Sequence, residues 1–257
     1  VTIGSVMTPI GNPQNLLIAI ESGIKAPFIF FIYYLSIPTI VNMFITYFLL
    51  SRYFSNYFKE AKQNFKEILK FDLKTIKLKD EKLAKISIVI LSFTILFILT
   101  VNIFELFGFN LSLQISEIAL IGAIVLLFLT NRRREIISSL DWSILLLFAS
   151  LFVLIQGVWD AGVISYIASF LPGLNPSDEI SILNILFQST LLSQLMSNVP
   201  MVTLYLPLMK QIGYTSSDVN AWIALAGGST IAGNLTLIGA ASNLIICEAA
   251  ETRGFRL

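Results

Sequence analysis

Read for its apolar and polar positions, the chain divides into three kinds of stretch. Residues 28–50, 86–107, 116–131 and 142–158 are nearly unbroken apolar runs. A membrane-crossing helix needs about 20 such residues, so each run predicts one, the third drawing on its flanks. Residues 181–209 and 218–248 are long and carry few or no charges, but polar residues, Pro and Gly interrupt them. Residues 1–20 have the same mixed character. Only 51–85 is strongly charged, with ten basic residues against five acidic ones. Within it Phe54, Phe58, Phe65, Leu69 and Leu73 fall near helical spacing. That spacing predicts an amphipathic helix on the inner membrane surface; a solvated connector packed on the protein's own underside fits it equally well.

Charge then orients the runs. The positive-inside rule places 51–85 in the cytoplasm. Two helices later comes Arg132-Arg133-Arg134, and two crossings return the chain to the same side, so both clusters agree. Segment 1–20 then runs from inside to outside, and 142–158 ends outside. If 181–213 enters and returns on one side, 218–248 runs inward, leaving only Lys25 and Lys210 of the Lys and Arg residues outside. A plain crossing with a kink at Pro200 gives a nearly equal charge balance. Composition favours the hairpin: Gln188, Ser189, Thr190, Ser193, Gln194, Ser197, Asn198, Pro200, Thr203 and Pro207 are too polar for a lipid-facing span. Non-helical backbone at membrane depth persists only where protein or a cavity surrounds it.

The chain also repeats itself. At an offset of 228 residues, TIGSVMTPIGNPQNLLIA (2–19) falls on TIAGNLTLIGAASNLIIC (230–247). The identical pairs are Thr2/Thr230, Ile3/Ile231, Thr8/Thr236, Ile10/Ile238, Gly11/Gly239, Asn15/Asn243, Leu16/Leu244 and Ile18/Ile246. Apolar composition produces chance Ile and Leu matches, but not readily two Thr pairs, a Gly and an Asn. The two copies cross in opposite directions on the reading above. Inverted repeats with interrupted apolar segments mark secondary transporters.

Composition closes off other classes. The chain is 56% hydrophobic and 13% charged, against about 45–50% and 25% in soluble domains, which excludes a soluble enzyme and a disordered chain. A net charge of +1 gives no pull on a polyanion, so no nucleic-acid partner is expected. With no His, histidine-based metal sites and Ser-His-Asp catalysis are absent, and no HExxH or paired-aspartate motif points to an intramembrane enzyme. The single Cys247 forms no intrachain disulfide.

Three polar breaks carry the candidate chemistry. The first is Thr8-Pro9-Ile10-Gly11-Asn12-Pro13-Gln14-Asn15, where Gly11 permits unwound backbone and Asn12 with Pro13 reads as an N-cap and first helical residue. The second is Ser197-Asn198-Val199-Pro200, with Asn198 expected to cap a returning half-helix. The third runs from Gly233 and Asn234 through Thr236 and Gly239 to Ser242 and Asn243. Half-helix N-termini and amide or hydroxyl donors suit an anion or oxo-acid, while unwound carbonyls with side-chain oxygens suit Na⁺. The same small and polar residues can also simply join helices. No Lys or Arg lies centrally in these segments. The carboxylates, Glu105 among them, sit at predicted ends; Asp160 lies at a predicted helix break and reads as a water-exposed end, and Glu21 and Glu248 are candidates for the mouths of the site.

The pairing of GNPQN with a later SNVP tip and GNLTLIGAASN break resembles the ion transporter superfamily, which includes arsenite permeases, citrate transporter-like proteins and sodium/proton antiporters. The resemblance runs over essentially the whole chain. It implies an all-α integral membrane protein with an inverted repeat, a re-entrant hairpin and broken helices. It divides the chain into the end of a first repeat (1–50), a basic cytoplasmic loop (51–85) and a second repeat (86–257) holding the hairpin (about 181–213) and broken helix (about 218–250). It assigns substrate or ion binding to Thr8, Gly11, Asn12, Pro13, Asn15, Ser197, Asn198, Pro200, Asn234, Thr236, Gly239, Ser242 and Asn243, with Na⁺ expected at Ser197, Asn198 and Gly239. The dicarboxylate symporters carry Ser-Asn-Thr at the tip; Val199 here turns the reading toward the arsenite-permease and antiporter branch. The implied activity is ion-coupled transport, by alternating access, of a small arsenite-like or citrate-like anion, or alternatively sodium/proton antiport. Expected partners are that anion, the bilayer and Na⁺ or H⁺ as coupling ion; a homodimer is left open, and no organic cofactor is expected. Because 143 residues (86–228) precede the second copy, inverted symmetry predicts roughly 140 residues before Val1 and roughly 30 after Leu257, about 430 in all.

Overall fold

The computed structural model describes residues 2–55, 80–109, 113–140, 142–163 and 173–236, together with 166, 171, 243, 247 and 251. Among the described residues every regular element is helical. In chain order they are α1 (Thr2–Ser5), a 3₁₀ turn (Pro9–Gly11), α2 (Pro13–Glu21), α3 (Pro27–Tyr53), α4 (Glu81–Leu106), α5 (Ile115–Leu129), α6 (Arg133–Ser138), α7 (Trp142–Asp160), α8 (Ile180–Met196), α9 (Asn198–Ile212) and α10 (Val219–Ala232). Each apolar run is a helix, with ends within a few residues of those expected. The chain 181–209 is two helices joined at Ser197, and α10 occupies the first part of 218–248. Most of the proposed amphipathic segment 54–73 lies outside the described residues.

Among the described residues two helices, α3 and α4, are long and apolar enough to cross a membrane. Phe44, Leu91 and Phe93 are among many large apolar side chains exposed along them. Such surfaces belong in lipid rather than water.

The chain forms two compact units. The smaller comprises Ile40–Thr100 and Leu113–Ser139. Within it Thr94 abuts Gly122, where a Cβ would collide with the threonine hydroxyl, so α4 and α5 approach closely. Arg132 lies 3.8 Å from Asp80 and 2.8 Å from Glu135. The contact with Asp80 brings the end of the basic segment and the arginine triplet to one end of the α4–α5 pair, as two successive crossings require.

The larger unit comprises Val1–Thr39, Val101–Ser112 and Leu140–Leu257. Its core joins Ile18, Phe31, Ile185, Met201, Tyr205, Met209, Trp222 and Leu225, all at most 1% exposed. The closest packing is between α8 and α10, and α2 lies against both α9 and α10. Trp222 Nε1 donates to the Thr215 carbonyl (2.8 Å). Tyr214 stands edge-on to the Trp222 ring, and burial pushes its phenol above the usual tyrosine range.

Two side chains of α4 hold the start of α3. Glu105 Oε2 accepts from Ala26 N and Asn102 Oδ1 from Phe28 N, each at 2.9 Å. The first N–H groups of a helix have no partner within it, and these oxygens supply two. Glu105, expected at a helix end, therefore has a definite role there.

Candidate functional site

At the first break, the Asn12 side chain accepts from Asn15 N (2.8 Å), and Pro13 opens α2. This is the expected cap. Gly11 is required by close approach: a Cβ there would come within 2.8 Å of the Ser5 backbone. Asn15 is fully buried, and its Nδ2 donates to the carbonyls of Ser5, Val6 and Thr8 at 3.2–3.3 Å. One carboxamide thus gathers the carbonyls of an unwound turn.

The second copy repeats this arrangement. Asn243 Nδ2 donates to the carbonyls of Gly233 (2.6 Å) and Thr236 (3.2 Å). Positions 5, 8 and 15 map onto 233, 236 and 243 at the offset of 228. The internal repeat is therefore a repeat of hydrogen bonds as well as of letters. Asn234 and Thr236 are exposed at this break; Gly239 and Ser242 lie outside the described residues.

The first break meets α10 at Thr230, one turn before the second break. Its hydroxyl donates to Asn15 Oδ1 (3.0 Å) and accepts from Asn12 Nδ2 (3.2 Å), which also reaches Ser5 Oγ (3.1 Å). Thr230 is fully buried. The sequence singled it out only as a repeated position, because the role depends on a partner 215 residues away.

The hairpin supplies the third part. Tyr205 Oη donates to Gln188 Oε1 (2.8 Å); these positions lie on either side of Ser197, so the chain folds back there. Ser197 has φ 67°, a left-handed conformation that favours glycine, and such strain costs about 1–3 kcal/mol. Asn198 was expected as the cap of the second arm, but Ser197 is the capping position and Asn198 the first helical residue. A single-residue connection leaves no room for a separate cap. Pro200 sits half-buried in the first turn of α9, where its missing N–H costs nothing.

The tip has an unusual balance of polar groups. Asn198 is 4% exposed and Ser193 fully buried. Among the described residues, Asn198 Oδ1 and Ser193 Oγ have no hydrogen-bond partner. A buried unpaired polar atom costs about 1–3 kcal/mol, so two of them around one strained residue make the tip a candidate binding point. The carbonyl end of α8 meets the amide end of α9 here. The first suits a cation and the second an anion. By contrast, Asn12 and Asn15 are committed to holding their own break.

Gln194, one turn before the tip, ties the hairpin to the second break. Its Nε2 donates to the Ala232 carbonyl (2.7 Å), and its Oε1 accepts from the Thr236 hydroxyl (2.8 Å). Thr190 adds a bond to the Gly228 carbonyl (3.2 Å). The run of polar residues Gln188, Ser189, Thr190, Ser193 and Gln194 was the available signal. Only the fold reveals which partner each one meets.

Comparison with known proteins accords with this picture. The Citrate transporter (CitMHS) family model matches residues 1–227. A "46 kDa membrane protein" of Mycobacterium leprae is 27% identical over 98% of this chain and 58% of its own length. A Dictyostelium discoideum protein bearing the transporter name arsB is 32% identical over 76% of this chain and 34% of its own length. The "Silicon efflux transporter LSI3" of rice is 32% identical over 60% of this chain and 33% of its own length. The chain therefore spans less than two thirds of the length of these relatives. No solved structure matches it. The resemblance seen in the breaks and the hairpin tip holds, and the chain, a membrane protein, belongs to the citrate transporter family.

Proposed function

We propose that the protein is a secondary transporter that moves a small anion or oxo-acid, citrate-like or arsenite-like, coupled to Na⁺ or H⁺ by alternating access. The observation that carries the reading is the hairpin tip. Buried Asn198 Oδ1 and Ser193 Oγ lack partners there among the described residues, and Gln194 bonds the same hairpin to a carbonyl-rich break. An unpaired acceptor at 4% exposure is costly unless a ligand repays it.

In this reading the hairpin of about 181–213 is re-entrant, with its tip near the midplane and the loop 51–85 in the cytoplasm. The N-terminus of α9 and the donors around it face the anion. The terminal carbonyls of α8, with Ser197, Asn198 and Gly239, hold Na⁺. Substrate charge is balanced by dipoles and the co-bound cation, since no Lys or Arg lies centrally in these segments. Thr8, Gly11, Asn12, Pro13 and Asn15 shape the first break. Pro200, Asn234, Thr236, Ser242 and Asn243 complete the second half.

Uptake by the full-length protein in proteoliposomes tests this, with citrate, arsenite and sulfate compared under Na⁺ and pH gradients. Gradient-driven uptake of one anion is expected. Sodium/proton exchange with no anion uptake would instead establish the antiporter alternative.

A further inference from the structure

We propose that Gln194 is a positioning residue that fixes the polarity of Thr236, making that threonine a hydrogen-bond acceptor toward the cargo. The inference rests on the transport reading above. The Gln194 carboxamide is used at both ends: Nε2 donates to the Ala232 carbonyl at 2.7 Å and to the Thr190 carbonyl at 3.2 Å, and Oε1 accepts from Thr236 Oγ1 at 2.8 Å. The first of these carbonyls is the last of α10, and it also accepts from Leu235 N at 3.0 Å. An amide can give to a carbonyl and take from a hydroxyl at once. A carboxylate can only take, and an ammonium can only give.

That arrangement has a chemical consequence. A hydroxyl carries one proton. With that proton committed to Gln194, Thr236 Oγ1 has only lone pairs to offer. Thr236 is exposed at the break, so those lone pairs are accessible. They suit a cation, or the O–H of a protonated oxo-acid or alcohol, and they repel an anionic oxygen. Gln194 thereby assigns Thr236 to the cation-binding or hydroxyl-binding side of the site. Because Gln194 is on α8 and Thr236 follows α10, the same bond keeps the hairpin and the second break in register.

The test is a double-mutant cycle in the full-length protein, with citrate as the transported probe. Citrate carries one alcohol O–H that such an acceptor can take, so Gln194→Leu and Thr236→Val should each raise the citrate KM about tenfold while Vmax stays within about twofold, the scale of one lost hydrogen bond. Thr236→Ser, which keeps the hydroxyl, should behave as wild type. The double variant should be no worse than the worse single one. Additive losses, or a Thr236→Ser variant as impaired as Thr236→Val, would overturn the assignment. Unfolding midpoints of the same variants, measured without substrate, form an independent arm. If wild-type protein takes up no citrate, the citrate reading fails by itself, and the unfolding cycle still decides the pair. Coupled midpoints support the Gln194–Thr236 bond and additive midpoints overturn it.

Discussion

Replacing Gly228 with Ala should lower the unfolding midpoint by several degrees, whereas the same change at its neighbour Gly227 should leave it level or raise it. The two glycines sit side by side in α10 but face different surroundings. A Cβ on Gly228 would collide with Ser189 Oγ and come within 2.7 Å of the Leu186 carbonyl oxygen and 3.2 Å of its Cα. The serine can rotate, but the α8 backbone cannot retreat without opening its closest packing. Overpacking of this kind costs about 1–3 kcal/mol. Alanine's better helix propensity returns only about 1 kcal/mol, so the clash wins. A Cβ on Gly227 would instead meet Leu35 Cδ2 at 3.5 Å and Leu186 Cδ1 at 4.0 Å, which is ordinary contact, and propensity decides. Thermal unfolding of both variants in detergent checks the contrast; shifts of the same sign and size would contradict the packing described.

A still larger loss is expected from Asn15→Asp. The substitution preserves size and shape but removes the Nδ2 donor. It sets a carboxylate oxygen against the carbonyls of Ser5, Val6 and Thr8, which that nitrogen now gathers. The site is fully buried, so the group must either carry an uncompensated charge or take up a proton to avoid it. A cost of about 3–5 kcal/mol follows, enough to consume much of a typical domain's stability. The equivalent Asn243 is only half-buried, and Asn243→Asp should cost less. Yield and unfolding midpoint of the two variants measure the difference; equal losses would mean that burial does not set the penalty.

The parts of this fold that the sequence made legible are those governed by local chemistry. Apolar runs fix helices such as α3 and α4 because lipid demands internally satisfied backbone. Asn12-Pro13 announces a helix start because a side-chain acceptor and a missing N–H both suit that position. The Asn15/Asn243 identity was legible as a repeat, and the structure supplies its reason in two matching sets of carbonyls. What stayed hidden depends on long-range pairing. Nothing local distinguishes Gln194 from Gln188, yet one meets the second break and the other meets Tyr205 across the hairpin. Thr230 looks like any helix-end threonine until Asn12 and Asn15 are brought beside it. At the hairpin tip the capping position is one residue earlier than the expected Asn198, because Ser197 at positive φ makes the whole turn. Two glycines in sequence gave no hint that Gly228 alone is sterically required.

The most direct test of the central claim, that the hairpin tip belongs to the transport site, is uptake by Asn198→Ala in proteoliposomes. The Asn198 Oδ1 makes no hydrogen bond among the described residues, so its removal asks little of the fold. The account predicts that gradient-driven anion uptake falls to background while the unfolding midpoint stays within about 2 °C of wild type. Undiminished uptake by the Asn198→Ala protein, or a loss seen only alongside unfolding, would contradict it.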